Sequence, residues 1–291
     1  MRWTDQPQLR EPALVAAFEG WNDGAESATD ALRWLRRSLG ATEFAVLDVE
    51  EYLDYQAARP HVVLVDGVVR RVEWPGYQFL AAPVPDGERD LVLLLGPEPN
   101  LRWRAFCSDV FDVARAMRAT GIVTLGALLA DVPHTRPLHV TGSSTDESAA
   151  ARIGLERSRY EGPTGIVGVL HATARDEGFE ASSLWAPVPH YVSAPPNPKA
   201  TLVLLDHLAG LLGLPLRTDP LLVAAQAWEQ SVGTVVAADD DIASYVARLE
   251  AGYDAGLDGD EDDETADDEA LPSGDALAAD FERYLREQGD D

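Results

Sequence analysis

Between Leu14 and Leu39 the chain passes from a short apolar run through a glycine-bounded polar corner into apolar residues at helical spacing. Leu14-Val15-Ala16-Ala17-Phe18 has no polar alternation, which predicts a strand buried on both faces. It stops at Glu19-Gly20-Trp21-Asn22-Asp23-Gly24, after which Ala28, Ala31, Leu32, Leu35 and Leu39 share one helix face. A strand passed to a helix through such a corner is the opening unit of a parallel α/β sheet. Asp23, with Glu26 three residues on, has the pattern of a capping box and places the helix start there. The corner then lies at the carboxyl end of its strand, the edge where open α/β sheets hold ligands.

The same pattern recurs. Asp90-Leu-Val-Leu-Leu-Leu-Gly96 predicts a central strand, and Pro97-Glu-Pro-Asn100 turns into a helix carrying Phe106, Val110, Val113 and Met117 on one side. Gly121 to Ala130 predicts a third buried strand, ending in Asp131-Val-Pro-His-Thr-Arg-Pro137. Gly162-Pro-Thr-Gly165 precedes Ile166, Val167, Leu170 and Ala174 at helical spacing, and Ser183 to Val192 predicts the last strand. Between the first two units, Glu43–Val49, Val62–Asp66, Val68–Trp74 and Tyr77–Ala82 form a run of strand candidates, with Asp66-Gly67 as a hairpin turn. Leu138 to Thr141 predicts a further strand, and Ser144 with Glu147 the cap of a short helix. From Asn197-Pro198 onward the pattern is helical, through Leu212, Leu221–Val232 and Ile242–Tyr253. The division expected is an α/β body over residues 1–253, an acidic linker over 254–272 and a short C-terminal amphipathic helix over 273–291.

Charge narrows the function classes. The formal net charge is −27 from 50 acidic and 23 basic residues, and from Asp254 onward 16 carboxylates face two arginines, so −14 of it lies at the end. No basic stripe exists for nucleic acid, and an anionic membrane surface is disfavoured for the same reason. A single cysteine, Cys107, allows no intramolecular disulfide and fits a reducing compartment. The first residues, Met1-Arg-Trp-Thr-Asp-Gln-Pro7, lack an apolar signal core, so a cytoplasmic protein is expected.

If the sheet is parallel, four turns converge on one rim and supply its candidate binding residues. They are Trp21 and Asn22; Asn100 and Arg104; His134 and Arg136; and Thr164 and Gly165. Each has a plainer alternative. Asp23 and Glu26 oppose a phosphate at the first corner, which serves as a helix cap or touches a neutral ligand or partner. The Gly162–Gly165 corner has no carboxylate in its first helical turn, so it accepts an anion or is a tight turn capped by Thr164. His134 and Arg136 form an acid and an anion clamp, or their flanking prolines make a rigid packing or interface loop. No cofactor, metal or catalytic residue is expected: there is no His-x-x-x-His, no cysteine pair and no Gly-x-Ser-x-Gly. Ser143-Ser144 fits a turn and cap, and Cys107 an inert buried thiol.

Taken in order, these turns resemble the proteasome assembly chaperone family in its actinobacterial-type branch. The matching segments are Gly20-Trp-Asn-Asp-Gly24, Leu95-Gly-Pro-Glu-Pro-Asn-Leu-Arg-Trp-Arg104, Pro133-His-Thr-Arg-Pro137, Gly162-Pro-Thr-Gly-Ile-Val-Gly168, Val188-Pro-His-Tyr191 and Asn197-Pro-Lys-Ala200. The resemblance implies a three-layer α/β/α sandwich, nucleoside-phosphorylase-like, with a C-terminal helical extension. It also implies self-association as a homotrimer and binding to proteasome α subunits without catalysis. The rival expectation is a phosphorylase- or nucleosidase-like enzyme, or a small-metabolite binder, using the strand-end turns.

Overall fold

The computed structural model describes residues 1–66 and 69–256. The expected linker from 257 and the C-terminal helix therefore lie outside the described residues, as does the middle of the Asp66-Gly67 turn. In chain order the strands are β1 (Arg2–Trp3), β2 (Ala13–Glu19), β3 (Thr42–Val46), β4 (His61–Val65), β5 (Val69–Glu73), β6 (Gln78–Ala82), β7 (Leu91–Pro97), β8 (Gly121–Ala130), β9 (Thr141–Ser144), β10 (Glu156–Arg157) and β11 (Glu180–Pro189). The helices are α1 (Ser27–Ser38), α2 (Trp103–Ala116), α3 (Glu147–Arg152), α4 (Ile166–Asp176), α5 (Pro198–Leu212), α6 (Asp219–Val236) and α7 (Asp240–Asp254).

Nine strands make one sheet in the order β1-β3-β6-β7-β2-β8-β11-β9-β10. Its centre, β7-β2-β8-β11, is parallel, as the unalternating apolar runs require. Antiparallel strands extend it on both sides: β6, β3 and β1 beyond β7, and β9 beyond β11.

Alternation along the central strands sends Ala13, Val15 and Ala17 to one face and Leu14, Ala16 and Phe18 to the other. The first face packs against Ala28, Leu32 and Leu35 of α1 and Leu204, Leu205 and Leu208 of α5. The second packs against Phe106, Val110 and Phe111 of α2 and Ile166, Val167 and Leu170 of α4. This is the α/β/α sandwich. A separate apolar cluster joins Tyr191 and Val192 to Val232 and Val236 of α6 and Ile242 and Val246 of α7.

Three local details depart from the sequence expectations. Glu26 takes a left-handed conformation (φ 53°), so α1 starts at Ser27; Asp23 Oδ1 reaches forward to accept from Ala28 N (2.8 Å) and Thr29 N (3.1 Å). Glu26 does not close a capping box but pairs with Arg33. The strand expected at Leu138–Thr141 forms instead at Thr141–Ser144, where Ser143 and Ser144 pair with Ser183 and Ser182 of β11. Asp146, not Ser144, caps α3, accepting from Ser148 N and Ala149 N (both 3.0 Å).

Candidate functional site

The carboxyl ends of β2, β7 and β8 share one edge, and the amino end of α4 comes to the same edge. The first corner is laid onto β8: Ala127 N donates to Asn22 O (2.8 Å), and Asp23 bridges Ala127. Asn22 is only 1% exposed, and its Nδ2 donates to Glu98 Oε1 at 2.8 Å. The same Glu98 oxygen accepts from Ile166 N, the first residue of α4, at 2.8 Å. A carboxylate thus occupies the helix start that was a candidate anion site. Thr164 is exposed and does not cap the helix; Glu98 does so from 68 residues away.

Gly165 is required at this junction. A Cβ there would lie 2.2 Å from Asn22 Nδ2 and 2.6 Å from Glu98 Oε1, far inside contact distance. Asn22, Glu98 and Gly165 therefore form one closed knot tying three turns. Asn22 Oδ1 has no hydrogen-bond partner among the described residues.

The remaining candidates go elsewhere. Asn100 Oδ1 accepts from Asp54 N (2.9 Å) while Asn100 N donates to Tyr52 O (2.9 Å), which pins the 52–54 segment. Arg104 is exposed on the first turn of α2. His134 is 1% exposed and packs edge-on against Tyr191. Tyr191 OH accepts from His134 N (2.7 Å) and lies 2.8 Å from His134 Nδ1. Burial, reinforced by nearby Lys199, pulls the His134 pKa below the usual imidazole value. Lys199 bonds both His134 O and Glu229 of α6. Arg136 makes a two-pronged bond to Asp254 of α7 (2.8 Å twice), and Thr135 bonds Glu250. The 131–137 loop is thus tied to α6 and α7 through Lys199, Thr135 and Arg136.

Sequence reasoning missed Glu98 because a carboxylate between two prolines reads as a turn residue. Lys199, Tyr191 and Glu229 were missed for a similar reason: their partners are 30 to 65 residues away in sequence. Beside the knot lies a shallow cavity of about 420 Å³ lined by Glu19, Asp23, Glu26 and Arg33 among others. Burial pushes the Asp23 carboxyl up to about 6 despite its hydrogen bonds from Thr29 and Ala28. Among the described residues no group of three or more His, Cys, Asp or Glu is placed to hold a metal ion, and no helix is long and apolar enough to cross a membrane.

Beside these polar groups the rim also turns apolar side chains outward. Trp21 is 66% exposed, and Leu101, Leu128 and Leu129 are about half exposed on the same edge. Among the described residues the hairpin of β4 and β5 pairs with no other strand, and Val62, Leu64, Val69 and Val72 are exposed.

A parallel sheet covered on both faces by helices, with rim turns that bind one another, defines an α/β/α sandwich protein. The chain belongs to the PAC2 family, whose model matches residues 17–236. No curated protein matches it. Among solved structures it is similar to a proteasome-assembly chaperone homologue from Mycobacterium tuberculosis: 44% identity, TM-score 0.74, covering 80% of this chain and 99% of that one. A PAC2 family protein from Streptomyces avermitilis is equally similar (44% identity, TM-score 0.72, 81% and 99% covered). A Pyrococcus furiosus archaeal proteasome activator shares the fold at 19% identity (TM-score 0.62, 80% and 97% covered).

Proposed function

We propose that this protein is a proteasome-assembly-chaperone-like, self-associating protein that binds another protein, with proteasome α subunits as the partner class, and that its rim performs no catalysis. The observation that carries this reading is the exposed apolar surface on the hairpin and rim. A lone two-stranded hairpin is marginal in water, and here Val62 and Val72, paired across the strands, are 61% and 46% exposed with Leu64 beside them. Such a surface is stabilised by a second copy of the chain. A cytoplasmic homotrimer is the form this takes. The family membership and the description of the Mycobacterium relative support the partner class. The net charge of −27 favours a basic patch on that partner and an association weakened by salt.

The enzyme alternative at the rim finds less support. Its anion position holds Glu98, and His134 and Arg136 are engaged with Tyr191 and α7. Native mass spectrometry of the protein, alone and with proteasome α subunits from the same cell, tests the proposal. The expected result is a closed oligomer that retains free α subunits but not mature core particles, and that dissociates in the V62E/L64E variant. A monomer, or an oligomer indifferent to α subunits, overturns it.

A further inference from the structure

A second cavity, of about 590 Å³, lies on the flank of the sheet where β9, α3 and α4 meet. It is remote from the carboxyl rim, because β9 pairs with the first half of β11, Ser182 to Trp185. Ser143, His171, Arg157, Arg175 and Glu147 line it, with Ala150 and Leu155 as apolar wall. Gly142 makes the arrangement possible. A Cβ there would fall 1.9 Å from Ser183 O, so only glycine lets β9 approach closely enough to seat Ser143 beside Ser183.

Ser143 Oγ lies 3.2 Å from His171 Nε2 and 3.3 Å from Ser183 Oγ. With the ring proton on Nδ1, the Nε2 lone pair accepts the Ser143 hydroxyl. This is the pairing of nucleophile and base that activates a serine. Burial keeps His171 below the usual imidazole pKa, hence in the neutral, basic form near pH 7. Arg157 and Arg175 make no ion pair among the described residues and bring two positive charges to the cavity against the single carboxylate of Glu147.

We propose that Ser143 is an activated nucleophile, with His171 as its general base, acting on small esters or thioesters that carry a negative charge selected by Arg157 and Arg175. As Ser143 Oγ bonds the acyl carbon, its proton passes to His171 Nε2. The imidazolium returns that proton to the departing alkoxide or thiolate as the acyl bond to it breaks. Water, deprotonated by His171, then cleaves the acyl–Oγ bond, releasing the acid and restoring Ser143.

The test is labelling of the full chain with a fluorophosphonate probe, followed by peptide mapping. A single adduct on Ser143 is expected, with the labelling rate falling at least about 100-fold in H171Q, the lower end of what a general base supplies. No adduct on Ser143 of the wild type, or equal labelling in a folded H171Q, overturns the proposal. The substrate class is read separately: R157Q and R175Q should lower kcat/KM for the mono-p-nitrophenyl ester of succinate at least about tenfold and leave p-nitrophenyl acetate unchanged. Equal losses on both esters refute the charge selection. This site stands independently of the rim, so the protein-binding reading survives its failure.

Discussion

Replacing Glu98 tests whether the rim is a structural knot or a vacant ligand site. In Glu98→Ala, Asn22 Nδ2 and the Ile166 amide both lose their 2.8 Å acceptor, and Asn22 is almost wholly buried. A hydrogen bond to a charged group contributes about 1.5–3 kcal/mol, and an unsatisfied buried donor costs a comparable amount. With Glu98 itself half-buried, the combined loss is about 3–4 kcal/mol. In Glu98→Gln the amide oxygen still accepts both bonds and only the charge at the start of α4 goes, a loss of about 1 kcal/mol. Urea unfolding at one fixed protein concentration measures both, the concentration being held because the chain is expected to self-associate. Glu98→Ala also frees the α4 amides, so millimolar phosphate should stabilise that variant and leave the wild type unchanged. Equal loss in the two variants, or a loss below about 1 kcal/mol in Glu98→Ala, refutes the knot. Phosphate stabilisation of the wild type refutes the filled anion position.

Three further outcomes follow from the same geometry. Gly165→Ala drives a methyl group into Asn22 and Glu98 and should cost about 2–3 kcal/mol in urea, less than additively with Glu98→Ala because both open the same junction. The Asp23 carboxyl, raised to about 6 from an ordinary value near 3.8, holds its proton in the folded chain where the unfolded chain has lost it. Stability should therefore fall as pH rises from about 4 to about 6, by at most about 3 kcal/mol, and the wild-type minus Asp23→Asn difference in urea midpoints should show that slope; a flat difference would refute it. Cys107 is buried within α2 and its thiol is pushed up to about 12, so a disulfide thiol reagent at pH 8 should react only in denaturant, and prompt reaction of the folded protein would contradict the packing.

The apolar code of the sandwich was legible because it is local. Ala13 to Phe18, Leu91 to Leu95 and Ile122 to Ala127 are long enough, and bare enough of polar residues, to fix central parallel strands. Asn197, with its side chain accepting from Ala200 N, and Gly213 at φ 67° bound α5 where the residue types place its ends. The register of β9 was not legible: Thr141 to Ser144 has no apolar pattern, and its position comes from pairing with β11 some forty residues on. The candidate site divided in the same way. Asn22 and Gly165 do meet, but through Glu98, which no spacing rule singles out. His134 and Arg136 were recognisable as unusual residues in a rigid loop, yet their partners on α7 and at Tyr191 are tertiary.

The use made of the rim charges argues for a surface function. An anion arriving at α4 would have to displace Glu98, breaking two bonds and leaving that carboxylate to be resolvated elsewhere, while the amides it gained would only replace those lost. Binding there begins at a deficit. No such deficit attaches to burying Trp21, Leu101, Leu128 and Leu129, which already meet water and gain roughly 25 cal/mol for each Å² of apolar surface removed from it. The turns that elsewhere on this architecture would grip a ligand here hold each other rigid. If the edge binds a partner, as proposed, turns tied to one another in this way would lower the conformational cost of presenting it.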